Sequence, residues 1–424
     1  MRFGNKAVRA MMLGAAAALA LGACQTTGGA ASGGKAWPAM AMAKPTQFTP
    51  DGLAALDAKM KEAVDKGQVA GLEYVLIKDG KLEAFKIHGN QSFGGAPMTE
   101  NTIFRIRSMT KPITGVAMMQ LYEKGLWKPE DPITKFYPEF ANLKVMKADG
   151  TLEPVSHTPT MQELFTHTAG MGYGLSDTTA VDKMFIAENP MGKPDMKAMV
   201  KRVSEIPLLA QPGTRWSYSI AIDVQGAIVE KLSGMTFGEY LKKNVFTPLG
   251  MNDTGFWLTE AERPRFAEVA TRDADTGKMK PYPDDPSRSF FKRDHEESGG
   301  GGLTSTAHDY ARFVQMLLNK GELDGKRVLK PETVELMFQN HVPATVNPPR
   351  LWGYGGSLSG STSERSPTPE GTFSWFGIDG TWFWADAKNK VGFVGMIQRR
   401  GGGGPGAVNF QPDSAAAVYK AMAK

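Results

Sequence analysis

The sequence predicts an α/β (α+β) fold in which one sheet is built from both chain ends and a mainly helical domain is inserted between them. Three observations carry this. Near the start, the apolar-rich runs Leu72–Lys78 and Lys81–His88 are joined by Asp79-Gly80, a strong hairpin signal. Near the end, Leu351–Leu358, Gly371–Ala385 and Val391–Gln398 are again strand-like, rich in Trp, Phe, Gly and Val. Between them lie short helical patterns broken by Pro and Gly, so the sheet's two parts enclose a helical insertion.

The elements follow in order. A basic stretch, Met1–Arg9, precedes an apolar run from Met11 to Leu21 and then Leu21-Gly22-Ala23-Cys24. The run is too short to span a bilayer as a helix and has the layout of a secretory signal. Its ending resembles the bacterial lipobox, which implies a lipid anchor on Cys24 and an exported protein, periplasmic or anchored at the outer membrane. Residues 25–46 are rich in Gly, Ala, Ser, Thr and Pro and read as a flexible tether. The folded part is expected over 47–424, with sheet parts at about 47–125 and 345–424 and the helical part at about 126–344. Asp51 is the expected N-cap of a helix running toward Lys66, with Leu53, Leu56, Met60 and Val64 on one face. A second helix runs from Ser108 to about Lys124 and is closed by Gly125. Further helices are expected at Met161–Thr166, Met196–Val203, Ile222–Leu232, Phe237–Lys243, Ala307–Leu318 and Ser414–Met422.

Composition excludes several classes of function. The formal net charge of +5 includes Arg2, Lys6 and Arg9, and without them the remainder carries +2. No long basic run follows, which removes nucleic acid as a partner. Cys24 is the single cysteine, so a thiol enzyme and an internal disulfide are both excluded. There is no Gly-x-Ser-x-Gly elbow and no His-Glu-x-x-His, and the six histidines are scattered. An α/β-hydrolase triad and a zinc site are therefore not expected. No metal or cofactor is implied.

A nucleophile candidate remains. Ser-x-x-Lys occurs at Ser32–Lys35, Ser108–Lys111 and Ser289–Lys292. The first lies in the tether and the third in a Pro, Asp and Arg rich loop. Ser108 alone opens a segment with Ile113, Val116, Ala117 and Leu121 at the spacing of a buried helix face. Residues three apart share a helix face, so Lys111 can reach the Ser108 hydroxyl. Pro112 is tolerated in the first turn, and the free N–H groups there favour developing negative charge. The plainer alternative, in which Ser108 only caps the helix and Lys111 is solvated, stands level with this on local grounds.

The wider pattern is more specific. Phe104-Arg-Ile-Arg-Ser-Met-Thr-Lys-Pro-Ile-Thr-Gly115, Leu164-Phe-Thr-His-Thr-Ala-Gly170, Pro212-Gly-Thr214 with Tyr218-Ser219, and Gly300-Gly-Gly-Leu-Thr-Ser-Thr306 occur in that order. Together they resemble the serine β-lactamase and penicillin-binding superfamily, in its class C-like branch, closest to the family VIII carboxylesterases. The resemblance covers about residues 50 to 400. It implies a β-lactamase/transpeptidase-like fold with an antiparallel sheet flanked by helices.

It also implies roles. Ser108 is then the nucleophile, Lys111 its partner and Tyr218 the general base or acid. The family's Tyr-x-Asn is reduced here to Tyr218-Ser219-Ile220, and none of the ten tyrosines is followed by x-Asn. No Lys-Thr-Gly exists either. The equivalent stretch is Trp375-Phe376-Gly377, which implies substrate contact at Trp375 and Gly377 and an oxyanion hole from the N–H groups of Ser108 and Ile378. Gly380 offers an alternative register. The missing Asn and Lys remove groups suited to an anionic peptide-like ligand. A mouth with Trp375, Phe376 and Trp382 suits a small neutral ester. The expectation is thus a carboxylesterase acting through an acyl-enzyme. The alternatives are a β-lactamase or D-alanyl-peptide hydrolase, and a non-catalytic cell-envelope binding protein of the same fold. His167 is expected to bond backbone near the site, and glycines 299–302 to form a tight turn beside the cleft.

Overall fold

The computed structural model describes residues 47–363, 367–402, 404 and 406–422. The signal-like segment, the tether, Cys24 and the Ser32–Lys35 pair lie outside the described residues.

The hairpin forms where Asp79-Gly80 places it. A two-residue loop of this kind needs positive φ at both central positions, and Asp79 and Gly80 adopt 49° and 75°. It joins β1 (Gly71–Lys78) to β2 (Lys81–Gly89). Four strands from the far end of the chain complete the sheet: β3 (Ser357–Leu358), β4 (Phe373–Phe376), β5 (Trp382–Asp386) and β6 (Val391–Met396). Their order is β3-β4-β5-β6-β1-β2, with every pairing antiparallel. The two chain ends meet at β1 and β6, in register from Glu73 opposite Met396 to Lys78 opposite Val391.

Alternation along these strands sorts side chains between two cores. Leu72, Tyr74, Leu76, Trp382, Trp384 and Phe393 pack with Leu56 and Met60 of the helix Pro50–Asp65 and with Val418 and Ala421 of the helix Phe410–Ala421. Val75, Ile77, Phe383, Val394 and Met396 face the larger core, which continues into the helical part. Trp382 is therefore not at the mouth of the site, against the expectation. Strand parity turns it to the opposite face, where its indole N–H donates to Ser414 Oγ at 3.1 Å.

Several boundaries moved for local reasons. The first helix is capped by Thr49, whose hydroxyl accepts the Gly52 N–H at 3.1 Å, and not by Asp51. Pro50 at the first helical position needs no partner for its nitrogen, which favours the cap one residue earlier. Leu351–Leu358 forms a strand only at Ser357–Leu358. The helix Thr110–Glu123 is buried on all sides from Thr110 to Leu121, beyond the single face expected. It packs against the helix Ala221–Ser233. The helix Ala307–Leu318, grouped by the sequence with the helical part, lies against β6, β1 and β5. It supports the sheet from the side of the larger core.

Candidate active site

Ser108 sits in a single 3₁₀ turn, Arg107–Met109, that leads into the helix Thr110–Glu123. It is half-buried, and its side chain makes no capping bond to the following helix. Lys111 is fully buried, unlike the solvated lysine of the plainer alternative. The Lys111 ammonium has three N–H donors, and each has an acceptor. These are the Gly300 carbonyl at 2.6 Å, the Tyr173 hydroxyl at 3.2 Å and Ser108 Oγ at 3.4 Å. The glycine turn thus sits beside the cleft and supplies the shortest of the three.

Tyr218 lies in the loop leading into the helix Ala221–Ser233. Its hydroxyl donates to Ser108 Oγ at 2.8 Å, and its ring centroid is 4.5 Å from Lys111 Nζ. The loop is held by His167, which adopts a positive φ of 58°. The Ser219 N–H donates to His167 Nδ1 at 3.2 Å, and the His167 carbonyl accepts the Ser217 N–H at 2.9 Å. Both neighbours of Tyr218 are fixed by one residue. Burial, with Lys111 and Arg350 nearby, pushes His167 well below the usual histidine range. It stays neutral and can keep accepting that N–H.

Trp375 stands behind Tyr218. It is 6% exposed, and its indole N–H donates to the Tyr218 oxygen at 3.2 Å. Its reach is toward the phenol, where the resemblance had implied substrate contact. Phe376 and Ile378 are the exposed apolar groups on this side, each 47% exposed.

In the turn after Phe376 the backbone N–H groups are used differently. The Gly377 N–H donates to the Thr381 carbonyl at 2.7 Å, and the Gly380 N–H to the Gly377 carbonyl at 2.9 Å. Among the described residues the Ile378 N–H has no acceptor, while that of Gly380 is spent within the turn. Gly377 is required for a reason the sequence did not show. A Cβ there would stand 2.5 Å from the Ile106 carbonyl. The absent side chain admits the segment leading to Ser108, more than a substrate.

Two further groups were missed. Tyr173, three residues past the Leu164–Gly170 segment, is buried beside Lys111 and near Asp223. Burial, then the Asp223 charge, raises its phenol well above the usual tyrosine range, so it remains protonated. Asp223, five residues after Tyr218, accepts from Ser298 Oγ and from the Gly300 N–H at 2.9 Å. It thereby fixes the carbonyl that holds Lys111. Position close to a quoted motif was the available signal for both.

The third Ser-x-x-Lys, Ser289–Lys292, is a surface turn in which the Lys292 N–H donates to the Ser289 carbonyl at 3.3 Å. A cavity of about 760 Å³ lined by Phe256, Trp257, Glu296 and Glu297 contains none of Ser108, Lys111 and Tyr218. Among the described residues no group of three or more His, Cys, Asp or Glu side chains could hold a metal ion.

Comparison with known proteins agrees with this architecture. The family model described as Beta-lactamase matches residues 56–417. Protein Rv1367c of Mycobacterium tuberculosis is 34% identical over 368 residues, covering 80% of this chain and 88% of that protein. Esterase EstB of Burkholderia gladioli is 32% identical over 371 residues, covering 80% and 89%. Among solved structures, EstCE1, described as a hydrolase with promiscuous acyltransferase activity, superposes with a TM-score of 0.73. It is 24% identical and covers 87% of this chain and 99% of its own. The chain belongs to the Beta-lactamase family, as a serine hydrolase of the β-lactamase fold.

Proposed function

We propose that this protein is a carboxylic ester hydrolase that works through an acyl-enzyme on Ser108. The observation that carries the reading is the contact between Tyr218 and Ser108 Oγ at 2.8 Å, with Lys111 Nζ at 3.4 Å from the same oxygen. Ser108 Oγ attacks the ester carbonyl carbon while its proton passes to Tyr218 reacting as the phenolate, with the direction of the bond between these two oxygens reversed. Lys111 Nζ lies 3.4 Å from Ser108 Oγ and 4.5 Å from the Tyr218 ring centroid, and a cation at that place favours the anionic forms through which the proton moves. The N–H groups of Ser108 and Ile378 receive the carbonyl oxygen as it becomes an oxyanion. Tyr218 returns the proton to the leaving alcohol, and water repeats the sequence on the acyl-enzyme.

Esters are favoured over β-lactams by what surrounds this core. By the resemblance Trp375 stands where the family has its strand lysine, and its N–H donates to the Tyr218 oxygen. Phe376 and Ile378, in the strand and turn next to Trp375, are exposed apolar groups. The esterase among the relatives supports the same choice. A panel of p-nitrophenyl esters, nitrocefin and D-Ala-D-Ala peptides, with Ser108→Ala as control, tests it. Ester turnover should dominate and vanish in Ser108→Ala. Faster nitrocefin turnover would favour the β-lactamase alternative, and binding of cell-wall fragments without any turnover would favour the non-catalytic one.

We also propose export and lipidation at Cys24, on the basic, apolar and Leu-Gly-Ala-Cys pattern of residues 1–24. Metabolic labelling with an alkyne fatty acid should mark the wild type and not Cys24→Ala. Equal labelling of the two would remove the anchor.

A further inference from the structure

The hydrogen bonds around Lys111 and Tyr218 account for proton movement, but they do not hold the Ser108 and Ile378 N–H groups toward one point. Those two donors come from opposite ends of the chain, and each has one member of an ion pair as its neighbour. Arg107 precedes Ser108 and Asp379 follows Ile378. The Arg107 Nε–H donates to Asp379 Oδ2 across 272 residues of sequence.

Asp379 is fully buried. Its second oxygen accepts the Arg400 Nε–H at 2.6 Å, and its carbonyl accepts the Arg399 N–H at 2.7 Å. Burial raises the Asp379 carboxyl, and Arg107 and Arg400 outweigh it, holding the group below the usual carboxylate range. A buried carboxylate with both oxygens paired is rigid, because moving either partner strands a charge. Around it, Thr381 Oγ1 donates to the Ile106 carbonyl at 3.2 Å, and Gly377 leaves room for that same carbonyl.

Arg107 itself has φ of +47°, a region in which a residue with a Cβ is strained. Such backbone persists only where surrounding contacts fix it, and these positions cluster at functional sites. Here the strained residue directly precedes the nucleophile and its side chain grips the facing turn. A glycine would adopt this φ freely but could not make the grip.

We propose that the Arg107–Asp379 pair is a positioning device that sets the separation of the Ser108 and Ile378 N–H groups, so that the oxyanion hole is already formed before substrate arrives. The pair does not touch substrate. This rests on the reading of Ser108 as nucleophile. Its contribution belongs to the transition state, when charge develops on the carbonyl oxygen, and so it should be read in kcat and not in KM.

The test uses Arg107→Gly, which suits the positive φ while deleting the guanidinium, together with Asp379→Asn, their double variant, and Arg107→Lys. For each, kcat and KM on a p-nitrophenyl ester are measured beside a thermal unfolding curve and Ser108→Ala. Arg107→Gly and Asp379→Asn should each lower kcat about 10²-fold, the cost of misplacing one oxyanion donor, with KM changed less than about twofold. The double variant should lose no more than the worse single one, because the two act as a unit. Arg107→Lys should recover part of the loss. A folded Arg107→Gly that loses less than about fivefold in kcat, or whose loss lies in KM, overturns the proposal. Should Arg107→Gly or Asp379→Asn not fold, Arg107→Lys settles it: a lowered kcat at unchanged KM supports the pair, and wild-type kcat overturns it. Turnover retained by Ser108→Ala would instead remove the nucleophile assignment, which none of the Arg107 results can do.

Discussion

The two sides of Ser108 are built from different materials. On the helical side, Tyr218, Lys111, Tyr173 and the Gly300 carbonyl meet in hydrogen bonds of 2.6 to 3.4 Å around Lys111. On the sheet side the proposed oxyanion donors are backbone N–H groups, and the side chains proposed to hold them are an ion cluster, Arg107, Asp379 and Arg400. Proton transfer needs groups that can change charge at modest cost, and oxyanion binding needs dipoles that do not move. The first side therefore gathers hydroxyls around one cation, with the buried Asp223 carboxylate behind them holding the Gly300 turn. The second fixes its backbone through a carboxylate that stays ionised.

Substitutions on the two sides should differ accordingly. The largest effects belong to the helical side: Lys111→Ala and Tyr218→Phe should each cost about 10² to 10⁴-fold in kcat. The pair together should fall well short of the product, since both serve one proton. Steady-state kinetics on a short p-nitrophenyl ester measures this, and wild-type-like turnover by Tyr218→Phe would place the base elsewhere. A smaller effect is expected at the junction. Trp375→Phe removes one N–H from the Tyr218 oxygen and keeps most of the ring, so kcat should fall about tenfold, near the worth of one hydrogen bond to a charged group. An unchanged kcat would make Trp375 a packing residue only.

Acid should weaken the two sides at different pH. His167, which holds the Tyr218 loop, is neutral in the fold because burial lowers it well below 6.5. Unfolded chains bind that proton first, so its contribution is full above about pH 6.5 and is lost as pH falls below it. Asp379 is depressed below 3.8, so its contribution is present above about pH 4 and is lost only as pH falls further. Thermal unfolding of the wild type from pH 8 to pH 4 should show a loss of stability setting in near pH 6.5. His167→Gln should shrink this step, leaving the part due to His341, which burial also lowers, and Asp379→Asn should leave its position unchanged. A step of undiminished size in His167→Gln would assign it to another group.

What the sequence disclosed follows the same division. The helical side was legible segment by segment, although its contacts span up to 189 residues. Ser108 and Lys111 are one turn apart, and Tyr218, His167 and the glycine turn lie in segments with recognisable neighbours. The hairpin was equally legible, because Asp79 and Gly80 can take the φ values that its turn demands. The sheet side was not. The Arg107–Asp379 pair spans 272 residues, and nothing in either neighbourhood marks the other. Trp382 was misplaced because the helix Phe410–Ala421 covers it, while its cross-strand partner Phe376 stays exposed. Gly377 was read as leaving room for substrate when its space is taken by the Ile106 carbonyl. Each error concerns what lies across a sheet or a turn, which periodicity along one segment does not encode.

The central claim is that Ser108 carries the acyl group between the two half-reactions, with both sides converging on its oxygen. The direct measurement is mass spectrometry of the protein quenched in acid within the first turnovers of a p-nitrophenyl ester, followed by peptide mapping. The expected result is one acyl adduct per chain on the peptide bearing Ser108, absent from Ser108→Ala. An adduct on any other residue, or turnover that proceeds with no adduct and survives in Ser108→Ala, would contradict it.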